Sequence, residues 1–123
     1  MRRHARAAFL AALVTLGCEA TDEPRAADAE ATVREMFAAA DAGDCATLRR
    51  LIQGMDSDDA CHEYLHGWRE NGISLVGITR ISRDGRDPNA FLVHSRVSRH
   101  GEVREGITRA VHDENGRWTV VVR

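Results

Sequence analysis

The chain has no lysine. All 17 of its basic residues are arginine, set against 19 acidic residues for a formal net charge of −2. The missing lysine points to a GC-rich coding sequence and carries no information about mechanism. The missing basic excess is informative, because a domain that tracks a phosphate backbone needs positive charge; nucleic acid is therefore excluded as the expected partner. Long hydrophobic runs are also lacking. The stretch "AAFLAALVTLG" has eleven residues without a charge, too few to span a bilayer stably but suited to the apolar region of a secretory signal. No internal repeat is present, and the part after this segment, about 95 residues, suffices for one small core and not for two.

At the N-terminus, "MRRHAR" forms a basic head before that apolar run, and a small residue precedes Cys18. The pattern predicts a signal peptide over residues 1–17. "VTLGC" resembles a bacterial lipobox, although Thr15 stands where such boxes usually carry leucine. The resemblance implies that Cys18 becomes an acylated N-terminus and anchors the protein to the lipid bilayer, on the periplasmic side or outer face of a bacterial membrane. Loss of Arg2, Arg3 and Arg6 would leave 14 arginines against the 19 acids, a mildly acidic mature chain. Residues 18–28, rich in alanine and acids and without apolar periodicity, are expected to form a lipidated cysteine and flexible tether, with the domain over residues 29–123.

Three helices are expected first. Val33, Met36, Phe37 and Ala40 fall on one helical stripe that Gly43 ends. Asp44 is a plausible N-cap for a second helix that buries Leu48, Leu51 and Ile52. A third begins near Ser57 or Asp58, carries Cys61, Tyr64, Leu65 and Trp68 at i, i+3, i+4 and i+7, and ends near Asn71-Gly72. The rest reads as four antiparallel strands: "ISLVGITRI", "AFLVHSRVS", "EVREGITRAVH" and "RWTVVV". Asn115-Gly116 is a hairpin signal of the type I′ kind, in which both central residues have positive φ. Phe91, Val93 and Val97 alternate on one face, as do Trp118, Val120 and Val122, so one sheet face is expected to pack on the helices in an α+β domain.

"FAAADAGDCATLRRLI" and "GITRAVHDENGRWTVVV" resemble the opening helices and closing hairpin of the nuclear transport factor 2-like fold, in the style of its short, lipid-anchored bacterial members. The resemblance covers about residues 30–123 and implies a curved sheet forming a cone over the helices. It also implies pairing of two copies through the open sheet face. The family includes isomerases and dehydratases, whose carboxylate, His or Tyr groups point into the cone; no such positions can be matched here residue by residue, and the hairpin that precedes the third helix in full-length members is missing.

"HEYLH" places His62 and His66 one helical turn apart with Glu63 between them, the pattern that holds a catalytic zinc in many proteases. No third ligand follows from a later helix, and both His lie roughly 100 degrees or more from the apolar stripe, so surface histidines are expected rather than a metalloprotease. Zinc or copper held by His62 and His66 alone is the alternative. His94 faces away from Phe91, Val93 and Val97 and is expected to be exposed; His100 and His112 lie at strand ends. With Cys18 set aside, Cys45 and Cys61 form an even pair in an oxidising compartment and predict a disulfide, the alternative being two buried thiols. A nucleophile built from Cys61 and His62 is disfavoured, because adjacent helical positions diverge. "DSDD" lacks the glycine and distal glutamate of an EF-hand. Arg80, Arg96, Arg104 and Arg109 alternate with apolar residues, as expected of the wet face of a sheet that a row of arginines could make receptive to an anion.

The expected function is non-catalytic: an anchored envelope domain that binds or scaffolds an envelope protein or small ligand. The competing expectation is a small isomerase, dehydratase or hydrolase, which would need acid, base and Tyr groups converging in an open pocket.

Overall fold

The computed structural model describes residues 22–122, and side chains from residue 25 onward. The expected signal segment, the acylated Cys18 and the first part of the tether lie outside the described residues. Three helices, α1 (Asp22–Ala42), α2 (Cys45–Leu51) and α3 (Asp58–Glu70), precede four strands, β1 (Ser74–Arg83), β2 (Ala90–Arg99), β3 (Glu102–His112) and β4 (Trp118–Val121). The strands form one antiparallel sheet in the order β1-β2-β3-β4, and the helices pack on one face of it. The sheet is not strongly curled.

Helix α1 starts at Asp22, earlier than its apolar stripe suggests. The added turn carries alanines, which form helix at little entropic cost, and Ala26 packs against the core. From there Ala29, Val33, Met36, Phe37 and Ala40 are buried along a single face that lies across all four strands. Gly43 ends the helix at φ 69°. Asp44 then caps α2: its carboxylate accepts the Thr47 N–H at 3.2 Å and the Thr47 hydroxyl at 2.6 Å. Ser57 caps α3 in the same way, accepting the Ala60 N–H at 3.1 Å.

A disulfide joins Cys45, at the start of α2, to Cys61, in the first turns of α3, with a Cα–Cα distance of 5.8 Å. Such a bond indicates an oxidising, extracytoplasmic setting. Among the described residues no helix is long and apolar enough to cross a membrane. After α2 the chain turns along the sheet edge, where Ile52 bridges Val120 and the Gln53 N–H donates to the Val120 carbonyl at 2.9 Å. The β4 edge is thereby covered.

Two turn assignments differ from expectation. The Asn115-Gly116 hairpin forms, but only Gly116 has positive φ, because the Asp113 carboxylate organises a longer connection by accepting the N–H groups of Asn115 and Arg117 at 2.9 and 2.8 Å. The two-residue turn with positive φ at both positions is instead His100-Gly101, at 53° and 78°, between the paired Arg99 and Glu102.

Candidate functional site

The packing of β1 decides what stands on the uncovered face of the sheet. A regular strand puts every second residue on the core, yet Ile73, Leu75, Ile78 and Ile81, which all pack on the core, are spaced by two, three and three. Irregularities between Leu75 and Gly77 and between Ile78 and Arg80 absorb the extra residues. Consequently Arg80 stands opposite His94 and Ser82 opposite Leu92, all on the outer face. On the other side of β2, Ile107 stands opposite His94, Glu105 opposite Arg96 and Arg109 opposite Leu92. The outer face therefore holds Arg80, Arg96 and Arg109, whereas Arg104 stands opposite Val97 and pairs with Glu102 at 3.3 Å.

His94 corrects the expectation of exposure. It faces away from the helices as predicted, but only 6% of it is accessible. It lies on an interior strand, and its long neighbours Arg80 and Ile107 flank it across both ladders. Its Nε2 lies 3.2 Å from the Ser82 hydroxyl and its Nδ1 lies 3.5 Å from Glu105 Oε1, while one Arg80 nitrogen sits 3.4 Å from both ring nitrogens. The order Ser82, His94, Glu105 is that of a nucleophile, base and acid, but the last distance is long for a hydrogen bond and Glu105 is two-thirds exposed. Tyr64, by contrast, packs on the helical side of the sheet beside Trp68, where burial pushes its phenol above the usual range. Acid, base and Tyr do not converge.

Next to His94 the outer face sinks into a cavity of about 660 Å³. Leu92, Ile107 and Val121 supply its apolar surfaces, and Asp84, Arg86 and Arg109 border it. Arg109 Nε donates to Asp84 at 2.9 Å and its NH2 group to Asp87 at 3.1 Å, tying the β1–β2 connection down over β3. The Arg86 backbone N–H, and after it the Arg109 guanidinium, hold the Asp84 carboxyl below the ordinary aspartate range. Asp44 is lowered chiefly by the Thr47 hydroxyl and Asp113 by the Arg117 backbone N–H.

These three lowered carboxylates give a signed expectation. Each binds its proton less readily folded than unfolded, so its contribution to stability is present above the unfolded value of about 3.9 and is lost as pH falls through the lower folded value. Urea unfolding at pH 5 and at pH 3 should show a clear drop in midpoint at the lower pH, and Asp84→Asn should reduce that drop. Equal pH sensitivity in parent and variant would remove Asp84 from the account.

The "HEYLH" residues lie elsewhere. The stripe Cys61, Leu65 and Trp68 is buried, while His62 and His66 are exposed, with His66 Nε2 3.3 Å from Glu70 one turn on. Among the described residues, no group of three or more His, Cys, Asp or Glu side chains is arranged to hold a metal ion. His94 does not join the pair, since it stands on the far side of the sheet from the helices. The Asp residues of "DSDD" serve α3 and its surroundings: Asp58 receives Arg49 at 3.1 Å near the helix N-terminus, where an acid complements the dipole. The buried His94 and its partners were missed because alternation tells which face a residue takes and nothing of what its cross-strand neighbours cover.

Comparison of the chain with family models, curated proteins and solved structures gives no match. The class defined by fold and site is thus an α+β domain of three helices on a four-stranded antiparallel sheet, stapled by a disulfide.

Proposed function

We propose that this chain is a non-catalytic binding domain of the bacterial cell envelope, held at the membrane through acylated Cys18, and that it binds a small ligand with an apolar body on the outer face of its sheet. The cavity beside Ile107 carries the reading: its volume of about 660 Å³ lies within the range of small-molecule sites, Leu92, Ile107 and Val121 give it apolar surface among polar groups, and Arg109, one of two arginines at its rim, is already neutralised by Asp84 and Asp87. The helix order, the Gly43-Asp44 junction and the closing hairpin support a nuclear transport factor 2-like domain. A cone-shaped sheet belongs to that proposal.

The uncharged dye Nile red tests it. The purified chain should enhance the dye's fluorescence, and Ile107→Asp should abolish the effect while shifting unfolding stability by no more than about 1 kcal/mol, because Ile107 is 60% exposed. Equal enhancement by parent and variant, or none by either, would sink the proposal. Sedimentation of the same samples reports on the other occupant: a parent dimer that Ile107→Asp dissociates would mean that a second copy covers this face instead.

A further inference from the structure

We infer that the β1–β2 side of the outer face is a separate phosphate-binding subsite, formed by Arg80 and Arg96 over the buried ring of His94. The inference extends the binding role of this face to a patch outside the apolar cavity, and its test is independent of the dye.

Several of the described arginines are held by carboxylates. Arg34, Arg49, Arg50, Arg104 and Arg109 each reach an acid within 3.3 Å. Among the described residues, Arg80 and Arg96 have no carboxylate within ion-pair distance, and they project from adjacent strands onto the same face. Glu105 stands directly opposite Arg96 and would be its natural partner, but its carboxylate makes no ion pair there and lies 3.5 Å from His94 Nδ1. The patch therefore holds the guanidinium groups of Arg80 and Arg96 and the carboxylate of Glu105, with Arg104, paired to Glu102, at its border.

The two cations are prepared differently. Arg80 rests against the ring of His94, and that ring is fixed by burial and by Ser82. Arg96 is exposed and borders a depression of about 380 Å³ with Thr79, Val103, Arg104 and Glu105. Across the ladder from Arg96 stands Gly77, where an added Cβ would meet nothing within 4 Å, so the approach to Arg96 is open. One guanidinium is thus positioned and the other is free to close on a guest. Two planar forks approaching from neighbouring strands suit the several acceptor oxygens of a phosphate group.

The phosphate has two sources, the free ion or a lipid headgroup, and two arms separate them. In the first, inorganic phosphate is titrated into the purified chain against chloride at equal ionic strength, and the NMR signals of Thr79, Arg80, His94 and Arg96 are followed. Saturable shifts confined to these residues are expected. Arg80→Gln and Arg96→Gln should each weaken binding about tenfold or more, as loss of a charge-assisted hydrogen bond does. Glu105→Gln should tighten it, since it removes the one like charge beside the guest. In the second arm, the chain with Cys18→Ser is mixed with phosphatidylglycerol vesicles. Co-sedimentation that Arg96→Gln abolishes identifies the headgroup as the source; phosphate binding without co-sedimentation identifies the free ion. Absence of saturable shifts, or binding in either arm that ignores Arg96→Gln and Glu105→Gln, overturns the inference.

Discussion

Removing the Cys45–Cys61 disulfide, by reduction or in the Cys45→Ala/Cys61→Ala chain, is expected to lower the unfolding free energy by about 3 kcal/mol. The bond closes a loop with a sequence separation of 16, and a cross-link of that size removes entropy from the denatured chain and so raises its free energy by about this much in the loop-entropy account. Domains of this size are stable by only about 5–15 kcal/mol, so the loss is a large share. The expectation also has a local reason. Helix α2 has only seven residues, too few to persist without tertiary support. The bond ties its first residue to the buried face of α3, where Cys61 is fully inaccessible. Alanine is the better replacement, because serine would place a hydroxyl at this buried position. Urea unfolding of oxidised and double-alanine chains measures the difference, and the slope should rise as well because the open denatured chain exposes more surface. An unchanged midpoint would mean that the α2–α3 corner contributes little to the cooperative unit.

The same corner explains why the fold was largely legible in the sequence. The junctions between the helices carry their own stops and starts: Gly43 at positive φ, Asp44 and Ser57 as caps, Asn71 and Gly72 at the end. These are local devices, and local chemistry can be read from neighbours in the chain. The strands were legible as segments for a similar reason. What was not legible depends on pairing across strands. The unequal spacing of Leu75, Ile78 and Ile81 hints at the β1 irregularities, but only the register against β2 puts Arg80 beside His94. Likewise, Asn115-Gly116 looks like the tighter turn by residue type, yet His100-Gly101 takes that geometry because Arg99 and Glu102 pair directly across it.

The candidate site was the less legible part, and the sharpest motif pointed away from it. "HEYLH" sits on α3, whose buried stripe turns His62 and His66 outward. The outer sheet face gathers its groups from β1, β2 and β3, with no two of Arg80, His94 and Glu105 close in sequence. Only the general expectation of a row of arginines receptive to an anion touched it. Of that row, Arg109 is bound to Asp84 and Asp87 and Arg104 to Glu102, whereas Arg80 and Arg96 have no carboxylate partner among the described residues.

Trp68→Ala is expected to cost about 3–5 kcal/mol, the range for truncating a large buried aromatic side chain. Trp68 is 7% exposed, meets Phe37 edge-on with ring centroids 5.3 Å apart, and lies 5.9 Å from Tyr64. Its indole N–H donates to Asp41 at 3.2 Å, joining α3 to the last turn of α1. Trp68→Phe should cost far less, about 1–2 kcal/mol, since a ring still fills most of the space and the exposed Asp41 can turn to water. Urea unfolding of both variants separates packing from the hydrogen bond; a cost below about 1.5 kcal/mol for alanine would mean that α3 is not docked through this side chain. The combination with the disulfide variant is more informative still. Cys61 and Trp68 lie two turns apart on the same face of α3, and each holds that helix against the others. If α3 docks as one unit, releasing it at either point forfeits much of what the other point supplied. The triple variant should then lose less than the sum of the two separate losses, by an interaction of about 0.5–3 kcal/mol. Strict additivity would instead mean that the two ends of α3 are held independently.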